Sequence, residues 1–344
     1  MTTRKFTLYW SSLAKYEDCG QNFLWSRGWP GVDLGQGPGR PKKKPIQRSE
    51  HHAVMGIVLA DFWEWLYNDE EWKHPGFMDR LIEKARKEFG RLCLSKHIDW
   101  RMAPDRDELW QTIEDGMRGY VHTMKAHKLL GPYARSEVDL TAYIDKWTPV
   151  GGRADLIIRR SDTGITILDG KNSRRYKNPR KTGPRMITFT DPDQLRWYAM
   201  CFYLAYKKMP DRLGFVYFRY PYGATKLDEH GEEVDILDPN TGLPTGEVEK
   251  EDGIVWVDFD KDDLKGIATR AKDAIRGMNR GKFEANPVPS KCRMCDFETV
   301  CPERLAQKKA NSRKRKKSSD FFDGQTGFMT FGIGEGGSVK VEGE

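Results

Sequence analysis

The chain has 344 residues, 38% of them hydrophobic, and its 58 Lys and Arg outnumber its 51 Asp and Glu for a net charge of +7. That supports one large domain or two small ones with a real core, and the basic balance admits a polyanion partner without requiring one. No run of about 18 apolar residues occurs, which excludes a membrane-spanning helix, and six cysteines in such a chain point to metal ligands or free thiols over a disulfide framework.

The opening MTTRKFTLYW lacks the apolar segment of a secretory leader, so a cytoplasmic protein is expected. Residues 11–27 read as a helix with Ser11 or Ser12 as N-cap and Leu13, Tyr16, Cys19 or Gly20, and Phe23 near one face. Residues 30–48, rich in Gly, Pro and Lys, read as a flexible loop. Val54, Val58, Phe62 and Trp65 then recur at helical spacing over 51–68 and predict a core-facing helix. Two further helices are expected over about 76–90 and 105–130.

The period then changes to two. Residues 136–144 alternate, and 150–160 and 164–171 are β-branched runs joined by the turn signal Asp162-Thr163-Gly164. Residues 174–185 carry six cations and no acid. Asp191-Pro192 opens a helix to about Lys208, with Pro at its first position. A buried strand is expected at 213–220, an insertion or long hairpin at 224–253, a strand at 254–259 and a last helix at 261–280. Beyond about residue 306 the basic run Arg313–Lys317 and the Gly-rich end predict a disordered tail to 344. The order predicts a mixed α/β core with an N-terminal helical wing.

Two short pieces carry chemistry. GGRAD places Asp155 on one strand, and ILDGK places Asp169 and Lys171, two apart and so on one face, at the end of the next. Carboxylates brought to one point repel unless a cation joins them, and hard oxygen ligands favour Mg²⁺ or Mn²⁺. The Gly170 carbonyl is a further candidate ligand. Taken singly, the same tripeptide also fits a surface salt bridge at a strand end. Gln194 and Tyr198, four apart on the next helix, present an amide and a phenol on one face. A separate cluster, Cys292, Cys295 and Cys301, has the spacing C-x2-C-x5-C within residues 290–303. Three thiolates leave a tetrahedral zinc site or an iron–sulfur cubane one ligand short.

In order, Gly152-Arg-Ala-Asp155, Asp169-Gly-Lys171 and Gln194-Leu-Arg-Trp-Tyr198 resemble the G-x-x-D, D-x-K and Q-x-x-x-Y motifs of the PD-(D/E)XK nuclease superfamily in its RecB-like branch. With Cys19 and the C-terminal three cysteines, the chain resembles the CRISPR-associated RecB-like exonucleases and their AddB-type and phage-encoded relatives, over about residues 10–305. The resemblance implies a restriction-endonuclease-like core of a mixed central sheet flanked by helices, in one nuclease domain over 1–305. It also implies a C-terminal iron–sulfur region in which Cys19, Cys292, Cys295 and Cys301 hold a [4Fe–4S] cluster, with zinc the lesser alternative. The branch carries a metal-binding His about four residues after a helical Gly; that position after Gly56 is Ala60, so either His51 or His52, upstream, supplies the ligand from a shifted register or the position is lost.

By the same resemblance the activity is a metal-dependent DNA exonuclease, acting mainly on single strands or frayed ends in replication, recombination, repair or CRISPR-type processing, in a host cytoplasm if phage-encoded. Asp155 and Asp169 hold Mg²⁺ or Mn²⁺, Lys171 positions water, and Gln194 and Tyr198 orient the strand. The cations Arg174, Arg175, Lys177, Arg180, Lys181 and Arg185 are expected to grip the DNA backbone, with Tyr176 stacking on a base. The alternative is a non-catalytic DNA-end-binding iron–sulfur subunit of a helicase–nuclease or spacer-acquisition complex. A helicase, an integrase or a single-strand-binding protein is the protein partner expected on either reading, since the sequence has no P-loop of its own.

Overall fold

The computed structural model describes residues 6–29, 50–96, 98, 100, 105–162, 164–171, 191–218, 225–227, 233–235, 253–293 and 295–323. It starts with a short strand β1 (Leu8–Tyr9) and two helices, α1 (Trp10–Asp18) and α2 (Gly20–Arg27). The single helix expected over 11–27 is therefore broken, and Tyr9, not a serine, is its N-cap. The break falls at Cys19, whose backbone is extended (φ −166°, ψ 103°). Tertiary docking explains it. A Cβ on Gly20 would lie 2.8 Å from the Phe283 Cα, and the Gln21 N–H donates to the Glu284 carbonyl at 3.3 Å.

Three longer helices follow: α3 (His51–Tyr67), α4 (Phe77–Ser95) and α5 (Arg106–Ala126). Asp105 caps α5 by accepting from the Glu108 N–H at 2.8 Å. Val54, Val58 and Phe62 are fully buried along α3, as their spacing predicts, and Trp65 is partly buried.

The sheet is built on the long hairpin of β2 (Ala134–Asp145) and β3 (Thr148–Arg160), followed by β4 (Gly164–Lys171). Helix α6 (Pro192–Tyr206) starts at Asp191, whose carboxylate accepts from the Asp193 N–H, with Pro192 in the first position. It crosses over to β5 (Arg212–Tyr217), which runs parallel to β4. Strands β6 (Thr225–Leu227) and β7 (Glu233–Asp235) form an antiparallel pair of their own inside the predicted insertion. Strand β8 (Ile254–Val257) closes the sheet antiparallel to β5, and β1 runs parallel to β3. The sheet is mixed, in the order β1-β3-β4-β5-β8 with β2 along the other edge of β3.

Helices cover both faces. On one, α3, α4 and α5 bury Leu156, Ile158, Leu168 and Val216 of the sheet. The N-terminal helices expected as a wing thus share a core with the sheet. On the other, α1, α2, α6 and α7 (Lys261–Asn279) bury Val150, Ile157, Ile167, Leu213 and Phe215. Each large apolar side chain so enclosed contributes about 1.5–3 kcal/mol of transfer free energy. The chain continues through a short helix α8 (Pro289–Cys292) to α9 (Pro302–Asp323). Helix α9 corrects the expectation of disorder from residue 306, at least to Asp323. Ala, Lys, Arg and Gln are strong helix formers, and Arg304 anchors the start of the helix through a buried pair with Glu298 at 3.2 Å. Among the described residues no helix is long and apolar enough to cross a membrane.

Candidate active site

Strands β3 and β4 bring Asp155, Asp169 and Lys171 together. Lys171 forms an ion pair with Asp169, and Asp155 Oδ2 accepts from the Gly170 N–H at 2.9 Å. Helix α6 lays its first turns across this strand end. Gln194 Nε2 donates to Asp169 Oδ1 at 2.8 Å, and Gln194 Oε1 accepts from Lys171 Nζ at 3.1 Å. Gln194 Nε2 also lies 3.1 Å from the Tyr198 hydroxyl, so the i, i+4 pair works as one unit. The glycines of the two strand motifs have steric reasons. A Cβ on Gly152 would come within 2.9 Å of the Tyr198 ring, and one on Gly170 within 2.9 Å of Phe218 and 3.2 Å of Trp63.

A cavity of about 320 Å³ opens beside this cluster. The sheet supplies Asp155, Gly170 and Lys171 to its wall, and α3 supplies Gly56, Ala60 and Trp63. His51 and His52 sit in the first turn of α3, their rings 4.0 Å apart, and neither lines the cavity. The position one turn after Gly56 does line it, and it is Ala60. The run holding Arg174, Arg175, Tyr176, Lys177, Arg180, Lys181 and Arg185 lies outside the described residues.

One acidic neighbour was not predicted. Glu137 of β2 lines the same cavity. The register, Ser136 with Leu156 and Val138 with Ala154, puts Glu137 across from Asp155. Its backbone is left-handed, φ +53°. At the same level the alternation of β3 slips. Val150, Ala154 and Ile157 face the α6–α7 core, while Leu156 and Ile158 face the α3–α5 core. A period-two reading of SEVDL carries no sign of this, because the irregularity lies in the backbone.

Electrostatics make the cluster costly as it stands. Burial, then the neighbouring Asp169, push Asp155 up to about 8; Glu137 adds to the rise, and the Gly170 N–H and Lys171 oppose it. Burial also raises Asp169, against the pull of Lys171. Burial and Asp169 raise the Tyr198 phenol, which stays protonated. Asp169 Oδ2 is buried and takes no hydrogen bond of good geometry, although it faces the Lys171 ammonium. This donor set fits a hard divalent cation, which removes the like-charge penalty. Among the described residues no group of three or more His, Cys, Asp and Glu side chains is gathered at metal-binding geometry. An ion held by the two aspartates would take its remaining ligands from other oxygens.

The four cysteines of the second cluster line one small cavity between α2 and the segment before α9. Cys19 Sγ accepts from the Asn286 N–H, and Cys295 Sγ from the Phe297 N–H, each at 3.5 Å. The Cys301 thiol donates to Gln21 Oε1 at 3.6 Å. Burial raises Cys292, Cys295 and Cys301. The donor set is that of a thiolate metal site, but the four sulfurs are not drawn into one. Cys93 and Cys201 lie elsewhere, on α4 and α6.

A protein-family model described as the PD-(D/E)XK nuclease superfamily matches residues 10–302. No curated protein matches the chain in sequence. Among solved structures, the crystal structure of SSO0001 is similar at 16% identity, over 73% of this chain and 97% of that one, with a TM-score of 0.30. That likeness is too loose to bear on the site. The family match spans both aspartate strands, α6 and the N-terminal helices that wall the cavity. The chain belongs to the PD-(D/E)XK nuclease superfamily.

Proposed function

We propose that this nuclease is a Mg²⁺- or Mn²⁺-dependent DNA exonuclease that acts mainly on single strands or frayed ends. The observation that carries the reading is the chain of contacts Asp169–Gln194–Lys171 beside the buried Asp155. Asp155 and Asp169 would hold the divalent ion, with the Gly170 carbonyl a candidate third ligand. When bound, the ion supplies charge neutralisation and polarisation at the phosphate. Lys171 presents a fixed ammonium to the same place, where it stabilises negative charge developing on the phosphate oxygens and orders the attacking water. Gln194 holds both Lys171 and Asp169, so the ammonium keeps its aim when the Asp169 pair is shared with an ion. Tyr198 fixes the amide of Gln194.

The preference for an unpaired substrate is carried by the motif resemblance; the rings of Trp63 and Phe218 wall the cleft at Gly170 as buried core packing. The cation run over 174–185 follows the catalytic lysine directly and would hold the backbone without reading sequence. In the second cluster we propose a [4Fe–4S] cluster on Cys19, Cys292, Cys295 and Cys301, the support being that all four line one cavity.

The test uses linear and circular single-stranded DNA of one sequence, with Mg²⁺ or Mn²⁺ and with EDTA. The linear strand is expected to shorten from its ends and the circle to survive, both only with metal. Equal loss of the circle would make the enzyme an endonuclease.

A further inference from the structure

Glu137 stands in the cleft under conditions that do not favour it. Its backbone has φ +53° in the middle of a strand, a region that side-chain-bearing residues seldom occupy. Its neighbours Asp155, Glu64 and Asp139 carry the same sign. Its ion pair with Arg153 is long, 3.5 Å, and the arginine makes the shorter contact, 3.1 Å, to Asp139. Strain of this kind is tied to function when the residue faces a site, and Glu137 lines the cavity with Asp155.

The opposite wall matters as much. Helix α3 offers Gly56 and Ala60 there, neither of which has a ligating side chain. Asp155 thus faces the cavity, with the Asp169 carboxylate buried beside it, and no lining residue of the helix is a ligand. Beside the cleft Asp169 Oδ2 is buried with the Lys171 ammonium as its counter-charge, so Lys171 offsets Asp169 and leaves Glu137 and Asp155 facing each other. A cation placed between β2 and β3 removes the repulsion between Glu137 and Asp155 and gives the strained strand its return in binding.

We propose that Glu137 is the third carboxylate of the cleft and, with Asp155, grips the catalytic divalent cation from the β2 side. This rests on the metal-dependent reading above. No three such side chains among the described residues are already converged, so the Glu137 arm closes on the ion and gives up its loose contact with Arg153.

The test is Mn²⁺ binding, followed by the paramagnetic resonance of free Mn²⁺ and by thermal melting in EDTA and in Mn²⁺. Glu137→Gln keeps a partner for Arg153 and is expected to weaken Mn²⁺ binding at least about tenfold, to melt in EDTA no lower than the parent, and to gain less from Mn²⁺. Glu137→Gly, which suits the positive φ, is expected to lose the same affinity. Asp155→Asn is the control. Full Mn²⁺ affinity in Glu137→Gln with weakened affinity in Asp155→Asn overturns the role of Glu137 alone. Full affinity in both overturns the cation site itself. A lower melting point in EDTA for both Glu137 variants makes Glu137 a structural residue and likewise overturns the proposal.

Discussion

The ring of Tyr198 lies against the bare Cα of Gly152, so close that a Cβ there would stand 2.9 Å from the ring. The contact joins the two motifs at either end of the site, since Tyr198 holds the Gln194 amide. Gly152→Ala is expected to push the ring away and cut cleavage of single-stranded DNA about a hundredfold, because a shift near 1 Å is enough for that. The overpacking should also cost about 1–3 kcal/mol in a denaturant melt. Tyr198→Phe, which keeps the ring but removes the hydroxyl that meets Gln194, should also lower the rate, without the cost in stability. A Gly152→Ala enzyme with parental activity would remove Tyr198 from the positioning of Gln194.

The acidic pair predicts an unusual dependence of stability on pH. Asp155 is raised to about 8 in the folded chain, above its unfolded value of about 3.9. Between those values the folded state binds more protons than the unfolded state, so stability in EDTA falls as pH rises from about 4 to about 8. Asp155→Asn removes that slope. At pH 8 in EDTA it should melt at least about 2 °C above the parent, with the gap closing toward pH 4–5. Calorimetry across this range checks it, and a variant that melts lower at pH 8 contradicts the assignment.

Loss of the lysine separates catalysis from folding. Lys171→Ala, Asp169→Ala and Asp155→Ala are each expected to lower the cleavage rate by at least about 10²–10³-fold with native circular dichroism. Gln194→Ala should fall between these and the parent, because it touches both Asp169 and Lys171. Parental activity in EDTA would sink the metal mechanism altogether.

The cysteines are expected to behave as a set of four. Cys19→Ala should lose metal and thermal stability as Cys292→Ala, Cys295→Ala and Cys301→Ala do, because a closed shell fails when any ligand is lost. Cys93→Ala and Cys201→Ala should be mild. Metal analysis of anaerobically purified protein should give about four irons per chain for a cubane and about one zinc for a simple tetrahedron. Full iron in Cys19→Ala would remove that residue from the ligand set.

Much of this arrangement is legible in the residues. The turn signal ahead of Gly164 and the cap Asp191-Pro192 mark where β4 and α6 start, which places Lys171 at a strand end and Gln194 in the first turn of a helix. The i, i+4 pair of α6 needs only helical geometry. What escapes the sequence depends on distant contacts. The break at Cys19 exists because Gly20 docks on Phe283, more than 260 residues away. Glu137 reads as an ordinary strand residue in SEVDL, since alternation predicts a face but not a left-handed backbone. The start of α9 is held by the Arg304–Glu298 pair, which composition conceals behind a run of charge.

The seat of α1 and α2 on the late segment sets an order in time. Phe23 stacks on Phe283 at 6.3 Å, Tyr16 donates to the Lys282 carbonyl at 2.8 Å, and Arg270 pairs with Glu17 at 2.7 Å. Strand β1 likewise finds its partner only in β3. During synthesis at about 5–20 residues per second, the first helices wait on the order of tens of seconds for the surface that covers them. Through that interval Phe23 and Tyr16 are open to chaperones and proteases. A chain that stops short of Phe283 therefore leaves α1 and α2 without the late surface on which Phe23 and Tyr16 close.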